Sequence, residues 1–163
     1  MDIYINIYNM HPLNDYLQYI GVGAYHSAIS VGDIEISFGK KKGIYYTKKN
    51  NTQEFLRDSI LIDKTYLHDY EIYNKINSFE YMFNASSYDL ITNNCNHFTK
   101  TIVDKIFFKD SPSYINRLAD FLSCFTCIFP YDYIMSFQRN TVPEEQEIKL
   151  PLLIEEIEKG LFF

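Results

Sequence analysis

Tyr25-His26-Ser27-Ala28-Ile29-Ser30-Val31-Gly32-Asp33-Ile34-Glu35-Ile36-Ser37-Phe38-Gly39 is the stretch that decides how this chain folds. Two runs, Ala24 to Val31 and Ile34 to Phe38, flank a Gly-Asp pair. A two-residue loop with glycine first reads as a type II′ hairpin, whose twist matches that of the strands it joins. Register follows by counting: Val31 faces Ile34, Ser30 faces Glu35, Ala28 faces Ser37 and His26 faces Gly39. One face then carries Ile29, Val31, Ile34, Ile36 and Phe38 and belongs in a core. The other carries His26, Ala28, Ser30, Glu35, Ser37 and Gly39, small and polar, which leaves room beside the imidazole. Ser37 is the diagonal neighbour of His26, within direct or water-bridged hydrogen-bond reach.

Working outward, Asp2 to Asn9 alternates Ile3, Ile5 and Ile7 with Tyr4, Asn6 and Tyr8, the pattern of a half-buried strand. Met10 to Tyr19 reads as a loop around Pro12 and Asn14-Asp15. Gly43 to Thr47 and Asp58 to Ile62 are further strands, separated by a polar loop from Lys48 to Thr52. Asp69 to Phe83 is predicted to be a helix, with Ile72, Ile76, Phe79 and Phe83 as its apolar stripe. Ser111-Pro112 signals another helix start, with Ile115, Leu118, Ala119 and Leu122 facing inward. From Asn140 onward acidic residues and two prolines change the character of the chain. That divides it into a domain over 1–139 and an acidic tail or docked short helix over 140–163. Three apolar residues end the chain, Leu161, Phe162 and Phe163. Exposed, they would be costly to solubility, so they are expected to dock on the domain or on a second copy, which makes a homodimer an option.

The second informative stretch is Tyr88-Asp89-Leu90-Ile91-Thr92-Asn93-Asn94-Cys95-Asn96-His97-Phe98-Thr99. Asn93 or Asn94 caps a helix whose buried face is Phe98, Ile102, Val103 and Ile106. Cys95 falls in the first turn, where the positive end of the macrodipole favours thiolate over thiol. A nucleophilic thiol needs a base within hydrogen-bond reach. His97 is two residues away on the same helix and so points to a different face. His11 and His68 have polar neighbours and read as surface residues. His26 is left, but spacing alone does not separate a base from a histidine that is simply hydrogen-bonded in the fold.

Bulk properties narrow the function classes. The chain has 163 residues, 47% hydrophobic, enough for one globular domain with a core. Net charge is −6 and no Lys/Arg stripe is present, which argues against a nucleic-acid partner. No apolar run approaches the length of a transmembrane helix, and from the strand pattern that follows Met1-Asp2 no secretory signal is expected. Three cysteines are not a disulfide framework, which suits a reducing cytoplasmic or nuclear compartment. Cys124 and Cys127 form a single CxxC with no second pair and no paired histidines; among Phe121, Phe125 and Phe129 they are expected to be buried packing. No metal and no cofactor are expected.

Tyr25-His26-Ser27-Ala28-Ile29-Ser30-Val31, Ser37-Phe38-Gly39 and above all Asn93-Asn94-Cys95-Asn96-His97-Phe98 resemble the PPPDE family of permuted papain-fold peptidases, also known as the desumoylating isopeptidase (DeSI) family. Phe55 to Ile60 and Tyr114 to Ala119 add to the likeness, which spans about residues 3 to 130. The lysine-rich loop after Gly39 and the tail beyond about Asn140 depart from it. The resemblance implies an α+β, permuted papain-like fold in which an antiparallel sheet carrying His26 packs against helices, one of them carrying Cys95. It implies Cys95 as nucleophile and His26 as base, in a dyad that cleaves ubiquitin-like (SUMO or ubiquitin) conjugates. The Cys95 N–H would bind the oxyanion, with Tyr8 and Asn94 as side-chain candidates and Ser37 as the candidate that orients His26. Two alternatives stay open: a depalmitoylase-like protein thioesterase, and a non-catalytic binding module that keeps the fold.

Overall fold

A computed structural model describes residues 1–10, 14–17, 19, 21, 23–49 and 55–123. The expectations for His11, for Cys124 and Cys127, and for the terminal segment lie outside the described residues. The strands are β1 (Asp2–Asn9), β2 (Tyr25–Val31), β3 (Ile34–Gly39), β4 (Gly43–Lys48) and β5 (Leu56–Lys64). The α-helices are α1 (Asn14–Leu17), α2 (Asp69–Asn77), α3 (Cys95–Phe107) and α4 (Arg117–Ser123). All strand pairs are antiparallel, in the order β4-β3-β2-β1-β5. The fold is therefore α+β, as expected.

The β2–β3 hairpin follows the counted register, with Val31 opposite Ile34, Ser30 opposite Glu35 and Ile29 opposite Ile36. Gly32 has φ +59° while Asp33 has a negative φ, the combination a II′ turn requires and one that glycine adopts without strain. Ile3, Ile5, Ile7, Ile29, Val31, Ile34, Ile36 and Phe38 form one buried face. Helix α3 packs on β2 and β3 from that side and adds Phe98, Ile102 and Val103. Helix α2 adds Ile72, Tyr73 and Ile76 to the same core.

The opposite face is small and polar, as expected, and Ala28, Ser30, Glu35 and Ser37 are all buried on it, together with Asn6 and Thr47. Polar groups survive there because they satisfy one another. Glu35 Oε1 accepts from Tyr8 Oη and from Asn6 Nδ2, and Asn6 Oδ1 accepts from Ser59 Oγ.

Several boundaries also move. The loop after β1 contains the short helix α1, where Asn14 is buried and holds Ala24 through both its amide atoms. Strand β5 is longer than Asp58 to Ile62 because it pairs with β1 along its whole length, through two register shifts. Helix α2 stops at Asn77, short of Phe83. There Tyr46 Oη captures the Asn77 side chain at 2.6 Å and Ser78 Oγ turns back on the Lys75 carbonyl at 2.6 Å. The Ser78 bond is local and competes with helix continuation, and the backbone tightens into turns that still deliver Phe83 to the core. Ser111 does not start a helix; a 3-10 turn over Ser113–Asn116 leads into α4 instead. No described helix is long and apolar enough to cross a membrane.

Candidate active site

Helix α3 begins on the sulfur. Asn94, in extended conformation, caps it, with Oδ1 accepting from the N–H groups of Asn96 at 2.9 Å and His97 at 3.1 Å. Cys95 is then the first helical residue, and its N–H belongs to the set that no intrahelical carbonyl can reach. Asn93, the other cap candidate, instead donates to the Ser87 carbonyl at 2.9 Å and helps close the turn that delivers the helix.

The start of β2 lies against this helix end. The Cys95 side chain is hydrogen-bonded to the His26 side chain and to the backbone N–H groups of Ser27 and Asn96. Cys95 is only 6% exposed, so burial pushes its thiol pKa up. The positive charge of His26 and these hydrogen bonds outweigh burial, and the thiol lies below its ordinary value. The walls are polar rather than hydrocarbon: Asn94, Asn96 and Ser27 are its buried neighbours.

His26 is half-buried, and its Nε2 lies 3.2 Å from Ser37 Oγ. The Ser37 hydroxyl also donates to the Ser27 carbonyl at 3.1 Å. With its one proton given to that carbonyl, Ser37 accepts from Nε2–H, and Nδ1 becomes the nitrogen that can take the thiol proton. The diagonal placement read from the hairpin count thus gives a direct contact.

Tyr8 sits opposite His26 in the β1–β2 ladder, ring centroids 6.1 Å apart. Its hydroxyl donates to Glu35 Oε1 at 2.5 Å. Asn94 Nδ2 donates to the Leu90 carbonyl at 2.8 Å and to Asn116 Oδ1 at 3.1 Å. Both side chains named as oxyanion candidates therefore have their protons engaged within the fold, which leaves the Cys95 N–H as the donor the helix start itself supplies. His97 engages Asn94 Oδ1 through Nδ1 at 3.0 Å and Asn116 through Nε2 at 2.8 Å. Its pKa is depressed, first by burial, and its ring braces the cap. His68 is exposed.

Three residues of this region escaped the sequence reading, Ser27, Asn96 and Asn116, and Glu35 was placed on the His26 face without its partners. For Glu35 the hairpin count supplied the face, but the pairing of β1 with β2 that brings Asn6 and Tyr8 to it is decided by the tertiary structure. For Asn116, 21 positions beyond Cys95 in the count of the chain, nothing local announces the contact. Among the described residues no group of three or more His, Cys, Asp or Glu is arranged to hold a metal.

Fold and site together define an α+β protein in which a sheet histidine meets a cysteine at a helix start, with the histidine earlier in the chain. The chain belongs to the PPPDE family: the family model described as "PPPDE putative peptidase domain" matches residues 1–132. It is similar to a DeSI-like protein of Arabidopsis thaliana, 30% identical over 150 residues that cover 89% of this chain and 66% of the plant protein. It is similar also to a desumoylating isopeptidase 1 homologue of Caenorhabditis elegans, 34% identical over 125 residues, 71% of this chain and 37% of that one. A DeSI-like protein of Schizosaccharomyces pombe is 27% identical over 129 residues, 73% of this chain and 64% of its own. The chain thus spans at most about two thirds of the length of these relatives.

Proposed function

We propose that this chain is a cysteine isopeptidase that hydrolyses conjugates of a ubiquitin-like protein, with Cys95 as nucleophile and His26 as general base and acid. The observation that carries the reading is the hydrogen bond between the Cys95 and His26 side chains at a helix start, where the thiol pKa is depressed. In the proposed cycle His26 Nδ1 takes or holds the thiol proton and the sulfur attacks the isopeptide carbonyl. Negative charge builds on the carbonyl oxygen beside the Cys95 N–H. His26 then gives its proton to the departing lysine amine, leaving a thioester on Cys95. Water, relieved of a proton by His26, attacks the thioester; the carboxylate leaves and the thiol and imidazole are restored. Tyr8 or Asn94 would have to exchange its present partner to assist the oxyanion. Ser37 orients the imidazole throughout.

The likeness to the nematode desumoylating isopeptidase homologue favours SUMO over ubiquitin as the conjugated protein. The reacting body is proposed to be residues 1–139, close to the family match, with 140–163 as an appended segment. A free thiol that must stay reduced fits a cytoplasmic or nuclear setting.

The test is a pair of reagents. SUMO and ubiquitin vinyl sulfones are expected to label Cys95, and His26→Ala to slow labelling on the order of 100-fold or more, the scale of a lost general base. Alkylation of Cys95 by iodoacetamide should show its inflection below the ordinary thiol value of about 8.5. Turnover of an acyl-thioester reporter without vinyl sulfone labelling would move the substrate to acylated cysteines. A folded protein inert to both reagents would end the hydrolase reading.

A further inference from the structure

Asn96 adjoins the nucleophile, yet the cycle proposed above gives it no task. We propose that the Asn96 side chain is the positioning residue of the site, setting the placement of the Cys95 sulfur against the His26 ring by gripping both chain neighbours of His26. The inference deepens the isopeptidase reading and rests on it for what a change in turnover would mean.

Asn96 is buried, and every polar atom of its amide is matched. Nδ2 donates to the Tyr25 carbonyl at 3.0 Å and to the Ile115 carbonyl at 2.8 Å. Two carbonyl partners identify that end of the amide as the nitrogen. Oδ1 then accepts from Ser27 Oγ at 2.7 Å. Tyr25 and Ser27 stand on either side of His26, so one amide holds the strand before and after the imidazole. With its proton given to Asn96, Ser27 Oγ accepts from Thr99 Oγ1 at 2.9 Å, about one turn further along α3. Helix and strand are thus pinned at two points, and the helix can neither slide along β2 nor rotate freely over it. The apolar layer beneath, Ile29 against Phe98 and Ile102, holds the elements together but is non-directional and does not fix that slide.

The Cys95–His26 bond cannot do this work for itself. Both partners change protonation in every turnover, so their mutual attraction rises and falls. An amide bonded to two carbonyls and a hydroxyl does not titrate over the working pH range; its one link to the titrating pair is the long contact of Cys95 Sγ to Oδ1 at 3.8 Å, so its grip on β2 does not depend on the protonation state of the thiol. Because both Nδ2 protons are taken, Asn96 is a positioning residue and not an oxyanion donor.

The experiment compares the full chain carrying Asn96→Ala, Asn96→Asp or Thr99→Val with the parent and with Ile102→Val, which trims the core side of α3 without touching the clamp. Iodoacetamide alkylation of Cys95 as a function of pH reports thiolate formation and needs no substrate. Asn96→Ala should move its inflection up towards the free-thiol value of about 8.5; Asn96→Asp puts a carboxylate 3.8 Å from the sulfur and raises it by charge as well, so Asn96→Ala and Thr99→Val carry the test. Thr99→Val, which removes the outer pin alone, should move it the same way by less, and Ile102→Val should leave it in place. On a fluorogenic ubiquitin-like substrate, Asn96→Ala should lower kcat on the order of 10- to 100-fold with KM unchanged, as expected for a misplaced reacting pair. If the Asn96 variants do not fold, Thr99→Val decides alone. Parental inflections in every folded clamp variant would overturn the proposal. Shifted inflections in a protein whose parent turns over no conjugate would uphold the clamp and defeat the isopeptidase reading.

Discussion

A single side chain can be committed to structure so fully that its chemistry is fixed by its neighbours, and His97 is such a case. The ring is half-buried, with Nδ1 on Asn94 Oδ1 and Nε2 facing the Asn116 amide, and its pKa is depressed. The unfolded chain, with an ordinary histidine value of about 6.5, then binds a proton before the folded one does. Stability should therefore fall as pH drops below about 6.5, until the folded ring also protonates. Urea midpoints measured from pH 7.5 to 5.5 should decline in the parent and decline less in His97→Gln. Tyr73 presents the opposite case. Its ring is fully buried against Tyr46, yet its hydroxyl has no hydrogen-bond partner among the described residues. An unmatched buried hydroxyl costs about 1–3 kcal/mol, so Tyr73→Phe should raise stability by about 1 kcal/mol. A lower melting temperature in that variant would show that the hydroxyl is matched in solution.

At the scale of elements, α3 is defined by its two ends more than by its middle. The Asn94 cap delivers Cys95 to the first turn, and Phe108 ends the helix in the left-handed region with φ +53°. Phe108 is 85% exposed, so its ring contributes little packing to offset that conformation. A non-glycine residue there is disfavoured by roughly 1–2 kcal/mol, and glycine is the usual occupant. Phe108→Gly is expected to raise the melting temperature by a few degrees, equivalent to about 0.5–1 kcal/mol. An unchanged or lower value would mean that the phenyl ring has a partner in solution. Elements also explain which boundaries were legible. The hairpin was readable because the II′ turn leaves only one register. The end of α2 was not, because its apolar stripe runs on through Phe79 and Phe83 after the backbone has left the helix for turns.

For the whole molecule the feature the sequence did not announce is how deeply the polar face of the sheet is buried. Glu35 is 3% exposed and joins Tyr8 and Asn6 beneath the histidine strand. Removing it strands two buried donors at about 1–3 kcal/mol each. Glu35→Ala should thus cost about 2–6 kcal/mol, read as a lower urea midpoint with an unchanged slope. If stability is untouched, that layer is wet and the donors find water.

What the residues determined unaided is the set of local pieces: the strand pattern of β1, the hairpin register, and a capped helix with a cysteine in its first turn. Each rests on interactions within a few residues, where alternation, turn chemistry and capping apply. The resemblance of the His26 and Cys95 blocks to one family was legible in the same way, as contiguous motifs. Only the tertiary structure decided how those motifs meet. Asn96 closing on Tyr25, Ser27 and Ile115, Glu35 buried under Tyr8, and His97 braced by Asn116 join segments far apart in the chain. Hydrogen bonds of that kind depend on the direction and depth at which packed elements cross, and no periodicity along a single strand or helix encodes either.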